Sequence, residues 1–123
     1  MNKTNAPMGL SECIVQSLLL LLRDKSIDEI SVKEIVEKAG VNRSPYYRHF
    51  STKQDVVRHF YRLRLDEYLS GISGHICAQA YFTGMFESFL RYQKELILLD
   101  RRGLSFLLLT ELYARISQVH GNS

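Results

Sequence analysis

The segment from Ile30 to Lys53, ISVKEIVEKAGVNRSPYYRHFSTK, limits what this chain can fold into more than any other. Val32, Ile35, Val36 and Ala39 recur at the i, i+3, i+4, i+7 spacing of one apolar stripe, which predicts a helix over 32–39. Ser31 stands at its N-cap, and Glu34 three residues on completes a capping-box pattern. Gly40 ends the helix, because glycine enters the left-handed C-terminal position at no steric cost. Val41 is expected as a buried plug behind it. Asn42 can cap a second helix over 43–50, with Pro45 in its first turn, where a missing N–H forfeits no intrahelical bond. A third helix is expected from Thr52, for which Ser51…Gln54 and Thr52…Asp55 both fit a capping pattern.

The second helix has two unlike faces. Tyr46 and Phe50, four apart, point inward with Val41. Ser44, Tyr47 and Arg48 share the other side, flanked by Arg43 and His49. That outer face is short, basic and rich in hydrogen-bonding groups. Such a helix suits a major groove, where base edges present donors and acceptors between phosphate walls. Lys53 falls in the first turn of the third helix, where a lysine beside exposed N–H groups suits a phosphate. The plainer readings are packing for Tyr47, packing or capping for His49, and solvated charge for Lys33, Lys38 and Arg48.

The run KEIVEKAGVNRSPYYRHFSTKQD resembles the helix-turn-helix signature of TetR/AcrR-type bacterial transcriptional regulators. The Gly40–Val41 turn, the Tyr47-x-His49-Phe50 close and Lys53 all match, and the likeness extends over about 10–69 and more weakly to 116. What it implies is a DNA contact at the start of the first helix, on Ser31, Val32 and Lys33. It further implies recognition-helix contacts from Arg43, Ser44, Pro45, Tyr47 and His49, and a phosphate contact from Lys53. Asn42 and Arg48 complete the expected surface. Pro45 departs from the pattern, which more usually has Thr, Ser or Gly there. A proline offers only apolar contact, such as to a thymine methyl.

Charge is distributed unevenly. Met1 to Leu65 holds eleven Lys/Arg against seven Asp/Glu, while Asp66 to Ser123 holds five against six. Between Arg43 and Arg64 there are six basic residues and one acid, Asp55. A basic stretch of this kind is the expected electrostatic footprint of a nucleic-acid surface, with a near-neutral module behind it. No run of about 18 apolar residues occurs, so no membrane-spanning helix is expected. The N-terminus lacks the order of a signal peptide. The two cysteines, Cys13 and Cys77, are far apart and read as reduced packing residues. His75 lies two residues from Cys77, but nothing nearby completes a metal set. No nucleophile–base–acid pattern or phosphate-binding glycine loop appears. Neither an enzyme nor a cofactor is expected, and the localisation expected is the bacterial cytoplasm, at the nucleoid.

The remaining chain reads as helical. A polar arm, residues 1–9, precedes a helix expected from Ser11 to about Lys25, with Leu10, Ile14, Leu18, Leu21 and Leu22 as its stripe and Leu19 and Leu20 widening it. Ile27 and Ile30 anchor a connector. The helix from Thr52 is expected to reach about Leu69, and Gly71 and Gly74 then mark a break around 70–75. A helix follows from Ile76 to about Tyr92, on which Phe82, Met85, Phe86 and Phe89 form a stripe. It reads either as core or, with Tyr113, as an effector-binding surface of the kind the resemblance implies. A brief helix carries Leu96 and Leu99. The last, from Leu104 to about Val119, has Leu107, Leu108, Leu112 and Ile116 on one face and Phe106, Leu109 and Tyr113 on a second. Few residues remain to cover that second face.

The fold class expected is therefore all-α. A three-helix, helix-turn-helix DNA-binding domain occupies 1–53, and a short helical regulatory and dimerisation domain occupies 54–123. The resemblance implies about two further helices in a dimer interface, before which this sequence stops. A naturally short member, a fragment, and a dimer built on the final helices all remain open. The function expected is sequence-specific binding of a palindromic double-stranded DNA operator by a homodimer, under control of a small effector. The alternative is a regulator-like interaction protein whose C-terminal helices dock another protein.

Overall fold

The computed structural model describes residues 9–70 and 78–121. These residues form seven α-helices and one 3-10 turn, with no strand among them. The helices are α1 (Leu10–Leu21), α2 (Val32–Ala39), α3 (Arg43–His49), α4 (Lys53–Ser70), α5 (Ala78–Arg91), α6 (Gln93–Arg101) and α7 (Phe106–Gly121). The 3-10 turn, Ile27–Glu29, lies between α1 and α2. The chain divides into two compact units, Met1–Val56 and Val57–Ser123. The expected break around 70–75 falls largely outside the described residues, as do His75 and Cys77.

In the first unit α1 packs against α2 and α3, and α2 against α3. Ile14, Val15, Leu18, Leu19 and Leu22 from the first helical segment are buried, with Ile27 and Ile30 from the connector and Ile35 and Val36 from α2. Tyr46, Phe50 and Val56 are buried as well. The first helix stops earlier than its sequence suggests. Beyond Leu21 the charged run Arg23–Asp24–Lys25 has no apolar side chain to bury. The Arg23 and Asp24 N–H groups turn back to the Leu20 and Leu21 carbonyls instead. Leu20, expected to widen the apolar face, is exposed.

The two glycines with positive φ, Gly40 and Gly103, both at 73°, end α2 and α6 in the same way. The Gly40 N–H donates to the Glu37 carbonyl, and the Val41 N–H to that of Val36. The Gly103 N–H donates to the Asp100 carbonyl, and the Leu104 N–H to that of Leu99. This paired closure satisfies carbonyls that the helix end leaves orphaned, and it needs a residue tolerant of the left-handed region. It also explains why α7 begins at Phe106: Leu104 belongs to the cap of α6. Val41, expected to be buried, is half-exposed.

In the second unit α5 packs against α6. Val57, Phe60, Tyr61 and Leu65 of α4 are buried, as are Leu99, Leu104 and Leu107. The Arg64 guanidinium lies 3.7 Å from the Tyr92 ring centroid and 5.0 Å from that of Phe60, a cation–π sandwich. Arg62 pairs with Glu111 at 2.8 Å, and Arg115 with Asp66 at 2.6 Å, so α7 spends both its charges on α4.

Candidate nucleic-acid interface

The local chemistry of α2 fixes where the interface begins. The Ser31 Oγ accepts the Glu34 N–H at 3.0 Å, and the Glu34 carboxylate accepts the Ser31 N–H at 2.9 Å. Lys25 adds an ion pair to the same carboxylate at 2.5 Å. That lysine, and then the Ser31 N–H, hold the Glu34 carboxyl below its ordinary range. The Ser31 hydroxyl is thus engaged in the cap. Next to it Lys33 is exposed and Val32 half-buried.

Two aromatic anchors hold α3. Tyr46 is fully buried, with its ring 5.7 Å from that of Phe50. The Phe50 N–H donates to the Tyr46 carbonyl at 2.9 Å. Tyr47 meets Tyr46 edge-on, at 5.2 Å between centroids, yet is itself 57% exposed. Asn42, Arg43, Ser44, Arg48 and His49 are all exposed, and Pro45 is half-buried. The structure therefore brings together, on one small element, every recognition-helix residue expected from the sequence. Asn42 takes the extended N-cap conformation but makes no side-chain cap hydrogen bond.

The acid inside the basic stretch is removed from this surface by capping. The Asp55 Oδ2 accepts the N–H groups of Ser51 and Thr52, each at 3.1 Å, and the Thr52 Oγ1 accepts that of Asp55 at 3.1 Å. Of the two capping patterns written into the sequence, the structure uses the one starting at Thr52. The basic footprint is narrower than the raw count suggests. Arg62 and Arg64 are paired within the second unit, with Glu111 and Glu67. The exposed cations on the helix-turn-helix itself are Lys33, Lys38, Arg43 and Arg48.

Lys53 departs from its expected posture. Its ammonium donates to the carbonyls of Ile27 at 2.8 Å and Ile30 at 2.7 Å, and its side chain is partly buried. Two of its three N–H donors are thereby committed to the protein. No periodicity or motif points to that contact, because its partners are backbone atoms 26 and 23 residues away. The Tyr46 hydroxyl was equally hidden from sequence reasoning. It is buried without a hydrogen-bond partner, and burial pushes its pKa up to about 12.

The residues proposed for an effector site are placed differently. Phe86, Phe89 and Tyr113 are exposed, so this chain alone does not enclose them. The side chains of Phe82 and Met85 lie outside the described residues. No group of three or more His, Cys, Asp or Glu side chains able to hold a metal occurs among the described residues. None of the described helices is long and apolar enough to cross a membrane.

Comparison with known proteins bears on this interface directly. The family model described as bacterial regulatory proteins, tetR family, matches residues 14–60. No curated protein and no solved structure matches the chain. The match runs from the buried Ile14 of α1 through both helices of the helix-turn-helix into α4. Residues 14–60 are thus similar to the DNA-binding region that this family model describes.

Proposed function

We propose that the chain binds a palindromic DNA operator as a homodimer and reads it through α3. The observation carrying this reading is the arrangement of α3 itself. Tyr46 and Phe50 anchor it from beneath, while Arg43, Ser44, Tyr47, Arg48 and His49 are presented to solvent. Arg43 and Ser44 read base edges, and Pro45 offers an apolar contact to a thymine methyl. Tyr47, Arg48, His49 and Lys33 contact phosphates and set the register. Asn42 and the Ser31–Val32 end of α2 border the same groove.

The dimer places two such helices in successive major grooves, about 34–36 Å apart. Its contact surface is the exposed apolar side of the second unit, because contiguous apolar exposure of this kind marks a subunit contact. An effector acting through Phe82, Met85, Phe86, Phe89 and Tyr113 would need that second copy to enclose it.

Selection of bound oligonucleotides from a random pool, with the mass of the complex measured alongside, tests the reading. The expected product is an inverted repeat bound by two chains. Recovery of no enriched sequence would overturn it. On the selected operator, Arg43→Ala is expected to cost about 1–3 kcal/mol and to relax one base position. An equal loss on operator and random DNA would remove Arg43 from the base-reading set. A protein partner taking the second copy's place on the apolar side would appear as a heteromeric mass.

A further inference from the structure

We infer that Lys53 is a positioning residue: its ammonium is a clasp that closes the helix-turn-helix at both ends. The inference rests on the DNA-binding reading above for its functional consequence, but its structural basis is independent of it. Lys53 is the first residue of α4, and Ile30 is the last residue before the Ser31 cap of α2. Everything that would face DNA, from Ser31 to Thr52, lies between these two points of the chain. The Lys53 Nζ joins them, with 2.7 Å to the Ile30 carbonyl and 2.8 Å to the Ile27 carbonyl.

The chemistry of the two acceptors favours a lasting contact. The Ile27 carbonyl already accepts the Ile30 N–H at 3.2 Å, the bond that closes the 3-10 turn. A carbonyl has two lone pairs, so the ammonium takes the remaining one. Ile27 and Ile30 are themselves buried side chains, so the carbonyls that Lys53 reaches sit on a fixed piece of backbone. A charged donor makes the stronger kind of hydrogen bond. Withdrawing it would leave two carbonyls with one partner fewer in a partly buried place. The start of α4 is fixed from its other side by the Asp55 cap on Ser51 and Thr52. The lysine and the aspartate together set where α3 leaves off and α4 begins. The angle at which α3 stands on α2 follows from that.

Three measurements on the full chain separate a clasp from a phosphate contact. The first needs no DNA: nitrogen-detected NMR of the lysine ammonium groups, with the exposed Lys33 as the internal comparison. A clasp gives a Lys53 ammonium whose protons exchange with water more slowly than those of Lys33. Equal exchange rates would overturn the inference, whether or not the protein binds DNA.

The second is amide exchange in Lys53→Met. The Ile30 amide, which shares the Ile27 carbonyl with the ammonium, is expected to exchange faster by more than the change in global stability explains. An unchanged ratio counts against the clasp.

The third uses the selected operator, with affinities referred to folded protein. Lys53→Met is expected to lower the preference for operator over random DNA by about tenfold, the weight of one base contact. Lys33→Met is expected to lower the salt slope by about one unit. A fall of about one unit for Lys53→Met, with its sequence preference intact, would return Lys53 to the phosphate-binding set. If the wild-type chain binds no DNA, the regulator reading fails while the two exchange experiments still judge the clasp.

Discussion

The two compact units treat their apolar residues in opposite ways. In the first, Leu20 and Tyr47 are the large hydrophobic side chains left exposed among the described residues. In the second, Phe86, Phe89, Leu90, Ile97, Phe106, Leu109, Leu112, Tyr113 and Ile116 are all exposed, Leu109 by 65% and Tyr113 by 72%. The charges of α7 sharpen the contrast. Glu111 reaches Arg62, and Arg115 reaches both Asp66 and the Arg62 carbonyl. Both ionic groups of that helix therefore lie toward α4, while Phe106, Leu109 and Tyr113 stand elsewhere without a charge among them. The first unit closes its own core around three short helices. The second has helices of the same kind, but among the described residues it leaves more of their large apolar side chains in water than it buries. Helical amphipathicity alone does not make a closed core; the apolar stripe must also meet a second one.

The largest expected effect breaks that comparison most directly. Ile35 of α2 is fully buried, and Ile35→Ala should destabilise the chain by about 2–5 kcal/mol through lost burial and a residual cavity. Leu109→Ala removes a similar volume from an exposed site. It should change the stability of the dilute chain by about 0.5 kcal/mol or less. Its effect should appear instead as a shift toward lower mass in sedimentation at high concentration. Urea denaturation of both variants at two protein concentrations measures this. A loss for Leu109→Ala as large as that for Ile35→Ala, independent of concentration, would mean that the second unit buries this side chain within one copy.

How much of this was legible in the sequence differs between the units for a physical reason. The bounds of α2, its Ser31–Glu34 cap and the Gly40 stop are local, set by residues within four positions of one another, and the structure reproduces them. The inward Tyr46 and Phe50 and the outward Arg43, Tyr47 and Arg48 also follow from one short helix's periodicity. What the sequence did not reveal is tertiary. Lys53 looks like a surface lysine until the fold brings the Ile27 and Ile30 carbonyls beneath it. Arg62 and Arg64 look like part of a basic surface until Glu111 and Glu67 are found beside them. Leu112 and Ile116 share a stripe with the buried Leu107 but are exposed, because burial depends on what lies opposite.

The neighbouring tyrosines of α3 repeat the contrast within a single turn. Tyr46 buries a hydroxyl that has no partner, so Tyr46→Phe should be neutral or should raise stability by up to about 1 kcal/mol. It should leave operator affinity unchanged. Tyr47→Phe should leave stability unchanged and weaken binding to operator and random DNA alike, if the exposed hydroxyl serves a phosphate. Alkaline titration sharpens the same pair. Burial raises the Tyr46 pKa to about 12, so the native state holds its phenol protonated while the unfolded chain ionises near the ordinary value of 10.0. The stability linked to Tyr46 is fully present below pH 10 and is lost as pH rises toward 12. Tyr61 in the second unit, also raised to about 12 by burial and then by Asp100, adds a loss of the same sign. Tyr46→Phe should therefore reduce the alkaline loss without abolishing it. Complete abolition would place the whole effect in the first unit.

The smallest expected effect concerns Glu34, where the two ends of the pH scale can be compared. Its carboxyl is held below the ordinary value of 4.5, first by the hydrogen bond from Lys25 and then by that from the Ser31 N–H. A depressed carboxyl contributes stability that is present above 4.5 and lost as pH falls through its lowered folded value. Glu34→Gln separates the two causes, because glutamine can still accept the Ser31 N–H in a capping box but carries no charge for Lys25. The variant should melt slightly below the wild type at pH 7, and the gap should close in acid, where the wild-type carboxyl is protonated. High salt should narrow the gap at pH 7 as well, since a solvent-accessible ion pair is screened. A gap that persists at low pH would show that the carboxylate's charge is not what ties Lys25 to α2. The join between α1 and α2 would then rest on Ile14, Leu18 and Ile35, the apolar contacts that set the first unit apart from the second.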